Sequence, residues 1–477
     1  MVCGVLLAGP SALAFASGGF FDSPRTVAGV VAWVLVAIAA LTLRDPLPSD
    51  GWARAALLGL GLLAAWVAIS QARAPIEGAA RADLERDLVY LGTLLAAAAA
   101  FRPRSLARAV EPALALGALV VVGYGVSGRL LPGVIQLHHS ATAAGRLEQP
   151  LTYWNAMGAL AAIGLVLSCR LAGDRTRPAA MRAAAAAAAA PLGLGLYLTF
   201  SRGALAAAAV GIVILVVLAP DREQLRAAAI ALAGAGLVVI AASFLSGVES
   251  LAGSASHRRG EGIVMLVVLA AVVAAAVAGQ LALARAEGDG RLRVGLLDRV
   301  PPARAVAIVL AVLVLAAPVV GALAEGRGQL RSPLPEAGAA RLKDVGSNRY
   351  AYWRVALDAF SHHPLAGTGP SGFGVEWARE RRIDENVRDA HSLYLETLAE
   401  LGLVGVAALA LILAGMMGVG AGVAARDPRL AAGLVAGLAV WATHAAVDWD
   451  WEMPAVTLPA LVLAGTLIAR AGVPGAD

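Results

Sequence analysis

NRYAYWRVALDAFSHHPLAGTGPSGFGVEWARERRIDENVRDAHSLYLETLAELGLVG, residues 348–405, sets a polar, arginine-rich stretch against the start of an apolar run. In its first part Tyr350, Trp353, Ala356, Leu357 and Phe360 recur at helical spacing. That stripe predicts an amphipathic helix lying along a membrane surface, with Trp353 and Phe360 against it and Arg349 one step to the side. Proline and glycines in HPLAGTGPSGF, residues 363–373, enforce turns. A charged rim, residues 379–390, then leads to His391 at the mouth of the next apolar helix, where Glu396 and Glu400 share one face.

The rest of the chain sets this stretch in a bilayer. Of 477 residues, 59% are hydrophobic and 15% charged, and the mean hydropathy is +0.75. Soluble domains carry about a quarter charged residues, so this is an integral membrane protein. A net charge of +5 does not imply a nucleic-acid partner, because the arginines sit in short loops between apolar runs, where membrane topology accounts for them. Cys3 and Cys169 lie in or beside apolar segments without metal-ligand spacing and receive no role.

Runs long enough to cross a hydrocarbon core of about 30 Å fall near residues 2–20, 26–43, 52–70, 86–101, 109–128, 153–172, 181–200, 203–219, 227–244, 262–284, 304–324, 392–424, 429–447 and 453–469. The expected fold is all-α: a polytopic bundle of 12–14 transmembrane helices with a long extracytoplasmic loop holding an interfacial amphipathic helix. Residues 1–324 form the first eleven spans, 325–390 the loop, and 391–477 the C-terminal spans. With a cytoplasmic N-terminus every inside loop is basic, for example Arg102, Arg104 and Arg108, or Arg170, Arg175, Arg177 and Arg182. Residues 325–390, Arg202 and His391 then face outside. AFAS, residues 14–17, resembles a signal-peptidase site, but the segment before it has no basic residue, so an uncleaved helix is expected.

Three further features are external. In GRLEQPLTYWNAMG, residues 145–158, Tyr153 and Trp154 read as an aromatic belt, whereas Arg146 opposes the topology bias and suits a lipid-linked phosphate. In SRGALAAAAVG, residues 201–211, Ser201 and Arg202 are wedged between apolar runs. A cation so placed faces a cavity or snorkels to headgroups, and the helix N-terminus at Gly203 favours an anion. The third is the DWDWE turn, residues 448–452.

Arg146, Arg202 and Arg349 together can hold a diphosphate, since planar guanidinium donors match phosphate oxygens. His391, with an ordinary pKa near 6.5, can accept a hydroxyl proton beside it. Ser201, Trp353, Glu396 and Glu400 are candidate supporting residues. No His-Glu-x-x-His set is present and Asp-x-Asp spacing occurs only in the DWDWE turn, so neither metal nor cofactor is expected; that turn, with His444 nearby, is the alternative place for a divalent ion.

These pieces, GRLEQPLTYWNAMG, SRGALAAAAVG, NRYAYWRVALDAFSHHPLAGTGPSGF and HSLYLETLAELGLVG, resemble in order the O-antigen ligase and polymerase superfamily of bacterial membrane glycosyltransferases. The resemblance implies transfer of a glycan from an undecaprenyl-diphosphate carrier, outside the inner membrane, to a hydroxyl on a glycan, lipid or protein acceptor. It implies His391 as base and Arg349 and Arg202 on the diphosphate, with Arg146 less directly matched. From a different class, a flippase of lipid-linked sugars would also need a basic cavity, but it predicts internal repeats and charges along the spans, which this sequence lacks.

Overall fold

Helix starts are written locally. Asp50, Ser201, Ser392 and Asp427 each accept a bond from a backbone amide in the first turn of the helix that follows, at 2.9–3.4 Å, and Pro428 occupies a first-turn position where no amide is needed. The computed structural model describes residues 1–43, 47–288, 338 and 347–472, and among them every regular element is helical.

In order these are α1 (Val2–Ala14), α2 (Asp22–Thr42), α3 (Gly51–Ser70), α4 (Glu77–Ala100), α5 (Arg104–Leu130), α6 (Trp154–Gly173), α7 (Ala179–Leu198), α8 (Arg202–Leu218), α9 (Arg222–Ala242), α10 (Ser246–Glu249), α11 (Ala255–Gly288), α12 (Arg349–His362), α13 (Phe373–Glu380), α14 (Leu393–Arg426), α15 (Pro428–Ala445) and α16 (Pro454–Ala471). Nine of the described helices are long and apolar enough to cross a membrane: α2, α3, α5, α6, α7, α9, α11, α14 and α16. The chain is a multi-pass membrane protein.

Four other expected spans are helices that fall short in length or hydropathy: α1, α4, α8 and α15. The first expected span, 2–20, stops at Ala14, and the chain turns away where Ser17, Gly18 and Gly19 in succession take positive φ. The fourth, expected from residue 86, begins at Glu77; its polar first turns are helical all the same, with Glu77 and Arg81 paired one turn apart at 3.2 Å. The expected span 304–324 and the segment 325–346, Gly338 apart, lie outside the described residues.

α6 and α16 are buried along nearly their whole length and form the centre of the bundle, whereas α2 and α11 leave most of their surface outward. Lipid offers apolar side chains no hydrophobic gain over protein, so close backbone packing must hold the spans together. It is visible between α3 and α14: a Cβ on Gly59 would fall 2.7 Å from the Ile412 amide, and one on Gly415 would fall 2.4 Å from that of Ala56.

α14 is broken at Gly402, whose φ of 60° and ψ of −159° belong to glycine alone. The backbone groups freed there are paired by residues 364–369. Leu403 and Val404 amides donate to Pro364 and Leu365 carbonyls at 2.9 and 3.3 Å, while Thr368 and Gly369 amides donate to Ala399 and Glu400 carbonyls at 3.0 and 2.9 Å. The turn after α12 is thereby stapled into a transmembrane helix.

Candidate active site

α12 forms where its apolar periodicity predicts, but its buried face meets protein. Tyr352, Trp353, Val355, Ala356 and Ala359 pack with Phe373 and Trp377 of α13, and with Val387, Ala390 and Ala399. Trp353, expected against the membrane surface, is 5% exposed inside this small core, while Leu357 of the expected stripe is 45% exposed. An apolar stripe fixes which face is buried and leaves open what buries it. Glu385 ties the loop to α12, accepting from Asn348 Nδ2 at 2.8 Å and the Tyr352 hydroxyl at 2.7 Å.

This core carries His391 and Arg349. His391 is partly buried and takes a positive φ of 53°, a strained backbone setting for a residue with a Cβ. Its ring lies 5.2 Å from that of Tyr352 and 6.3 Å from that of Trp449, centroid to centroid. Nδ1 is 3.0 Å from the Asp389 carbonyl oxygen. A carbonyl only accepts, so Nδ1 carries the hydrogen and Nε2 keeps its lone pair. Burial holds the imidazole below its ordinary pKa, with Asp448 pulling upward and Arg349 downward, so the ring is neutral at pH 7.

Arg349 opens α12 and donates from Nη2 to Asp448 Oδ2 at 2.5 Å. Asp448 is fully buried and also accepts from the Tyr153 hydroxyl at 2.6 Å and the Trp449 amide at 3.0 Å; Asn155 Nδ2 donates in turn to the Tyr153 oxygen at 2.8 Å. Burial alone would raise this carboxyl, but Arg349, His391 and His444 outweigh it and hold it below the usual carboxylate range. Asp448 and Tyr153 are thus the central groups that sequence reasoning missed. Sequence reasoning favoured a belt over a site for Tyr153 and considered the DWDWE turn as an acidic outside turn and a place for metal, and the available signal was that this turn lies on the same side as Arg349.

Arg202 starts α8, capped by Ser201, and the first turn of α8 lies against the end of α15: a Cβ on Gly203 would be 3.0 Å from Val447 Cγ2. The helix of Arg202 therefore reaches the same turn as Arg349. Arg146 is 2% exposed and engaged in its own loop. It donates to the Ala143 and Thr142 carbonyls at 2.6 and 2.7 Å, and its guanidinium lies 3.4 Å from the Trp154 ring centroid.

Glu400 accepts from the Ser371 and Phe373 amides at 2.9 and 3.0 Å, holding the start of α13. Glu396 accepts from the Ala390 amide at 2.7 Å, one residue before His391. With Asp389 and Glu452 it forms a trio whose carboxylate oxygens lie within 4.8 Å of one another, and Arg86 stands 3.4 Å from Glu452. Burial pushes the Asp389 carboxyl up to about 6, against the pull of Arg86. By donor type these carboxylates suit a hard divalent cation; Arg86 already supplies positive charge beside them.

The comparisons with known proteins bear on this side of the bundle. The family model described as O-antigen ligase matches residues 250–410, a segment that includes Arg349, His391, Glu396 and Glu400 and leaves out Arg146, Arg202 and the turn at Asp448. No curated protein matches the chain. The family match supports a glycosyltransferase-like function in polysaccharide assembly. Together with the motifs around Arg202, Arg349 and His391, it supports the resemblance to the O-antigen ligase superfamily of polytopic membrane proteins.

Proposed function

We propose that the protein is an inverting, metal-independent glycosyltransferase that moves a glycan from undecaprenyl diphosphate to a hydroxyl acceptor on the outer face of the inner membrane. The observation that carries this reading is His391, with Nδ1 on the Asp389 carbonyl and Nε2 left to accept, on the same small core as the Arg349–Asp448 pair. The acceptor hydroxyl gives its proton to His391 Nε2 as its oxygen attacks the anomeric carbon. The bond from that carbon to the phosphate oxygen breaks, and undecaprenyl diphosphate leaves with the electron pair. Arg349, Arg202 and, from the neighbouring loop, Arg146 are the proposed cations for the diphosphate, whose growing charge they offset. Ser201, Trp353, Glu396 and Glu400 support the frame. The basic loops at the opposite end of the bundle support the outward orientation.

The test is turnover of an undecaprenyl-diphosphate oligosaccharide by the purified protein in nanodiscs with a panel of hydroxyl acceptors. Release of undecaprenyl diphosphate coupled to a glycosylated acceptor is the expected result, abolished by His391→Ala. A lipid or protein acceptor identifies a ligase, and a growing glycan a polymerase. Movement of the lipid-linked sugar across a proteoliposome membrane, with no transfer, would replace the reading with a transporter.

A further inference from the structure

A second histidine stands behind this cluster. His444, on the last turn of α15, is fully buried, and its Nδ1 lies 2.6 Å from Oδ2 of Asp450, which is fully buried as well. Nδ1–H donates to that carboxylate, which fixes the ring. The other ring nitrogen, Nε2, has no hydrogen-bond partner among the described residues. Most buried polar atoms are paired, so one left without a partner calls for a reason; Oδ1 of Asp450 is unpaired among the described residues as well.

The direction of Nε2 supplies one. A Cβ built on Gly203 would sit 3.5 Å from His444 Nε2 and 3.4 Å from its Cδ2, so the ring edge looks into the first turn of α8, directly beside Arg202. That turn is the positive end of a 17-residue helix. A ring nitrogen held from behind by a carboxylate and facing a helix N-terminus is completed by an anion lying between the two. A Cβ at position 203 would also press on Val447 Cγ2 at 3.0 Å, so glycine is what lets the first turn of α8 come this close to the ring.

Resting on the transfer reading above, we propose that His444, held by Asp450, is a further binding residue for the carrier diphosphate, its protonated ring donating from Nε2 to a phosphate oxygen at the α8 N-terminus. The ring takes a proton from solvent as the diphosphate binds and keeps it; no bond to His444 forms or breaks during transfer. The charged groups that act on it are Asp450 and Asp448 on the turn and Arg349 on α12; Arg202 is the chain neighbour of Gly203 on α8, Tyr394 on α14 bonds to Ala442 of the same helix as His444, and Tyr153, ahead of α6, bonds to Asp448. Of these, Asp448 is already paired with Arg349 and Tyr153, and the Tyr394 hydroxyl donates to the Ala442 carbonyl at 2.8 Å.

The experiment uses His391→Ala protein in nanodiscs, which removes the other histidine of this cluster and prevents turnover. The probe is farnesyl-diphosphate-linked N-acetylglucosamine, in which each phosphate is esterified and neither titrates near neutrality. It is titrated calorimetrically at pH 7.5 in two buffers of different ionisation enthalpy. About one proton is taken up per probe bound, and binding weakens as pH rises. Adding His444→Gln, which keeps a donor but cannot titrate, abolishes the uptake, while adding His444→Phe weakens binding by about 10–100-fold.

Binding by His391→Ala protein without proton uptake, or unchanged affinity in the His444→Phe variant, overturns this inference and leaves the transfer reading standing. Failure of both wild type and His391→Ala protein to bind the probe overturns both. Should the His444 variants fail to fold, proton uptake by the protein with His444 intact still decides.

Discussion

Asp448→Asn isolates what the buried carboxylate does, because it removes a charge and almost no volume. In the native protein Asp448 accepts three hydrogen bonds, at 2.5 Å from Arg349, 2.6 Å from Tyr153 and 3.0 Å from the Trp449 amide. Bonds to a charged acceptor contribute about 1.5–3 kcal/mol each, and stripping one partner from a buried ion pair costs about 3–5 kcal/mol. The Arg349 side chain is 22% exposed, so water can take up part of its lost pairing, which puts the cost at the low end, about 3 kcal/mol. If that energy holds Arg349, Tyr153 and Trp449 in register around His391, turnover falls by about 100-fold, at about 1.4 kcal/mol per tenfold. The assay is the rate of undecaprenyl diphosphate release at limiting donor, where the profile reports the unbound protein, followed from pH 5 to 8.

The pH profile gives a second readout with a definite sign. In the wild type the acid limb of the rate, which reports His391, lies below pH 6.5 because burial depresses the imidazole pKa. Asp448 opposes that depression and Arg349 adds to it, so Asp448→Asn moves the limb further down. A variant with turnover within threefold of wild type, or with a limb that moves up, would refute the reasoning that Asp448 organises the cluster.

Gly402→Ala places a Cβ 2.5 Å from the Leu365 carbonyl carbon and oxygen at a φ of 60°; it costs at least about 2 kcal/mol and lowers both the apparent melting temperature and turnover. Glu400→Gln weakens the acceptor for the Ser371 and Phe373 amides; about 1–2 kcal/mol of loop stability is lost, read as faster amide exchange across α13 with donor binding little changed. EDTA leaves turnover unchanged; loss of activity restored by magnesium or calcium would assign an ion to Asp389, Glu396 and Glu452.

What the sequence made legible follows from periodicity and charge. Spans such as α6 and α14 are read from apolar runs, α12 from its stripe, and the start of α14 from the polar-to-apolar change at His391. Partnerships between distant residues were not legible. Arg349 and Asp448 are 99 positions apart, and nothing local in an arginine at a helix start or an acidic turn says that they meet. Likewise LGLVG, residues 401–405, reads as uninterrupted helix. Its break exists only because residues 364–369 supply the hydrogen bonds that a broken helix in a membrane needs. Arg146 carries the same lesson, since its position in a loop gave no hint that the carbonyls of Thr142 and Ala143 and the face of Trp154 engage it.

The staple at Gly402 bears on how the protein tolerates different lipids. Bilayers of unequal thickness are accommodated by helix tilt, and a helix resting only on the headgroup layer would ride up and down with that surface. Here α12 and α13 are referenced to α14 through backbone bonds at the break and through Glu400, and to the α15–α16 turn through Arg349 and Asp448. The spacing between the histidine and the arginines is therefore set by protein alone. Reconstitution in short-chain or long-chain lipid should change how readily the donor arrives and leave the geometry that meets it untouched.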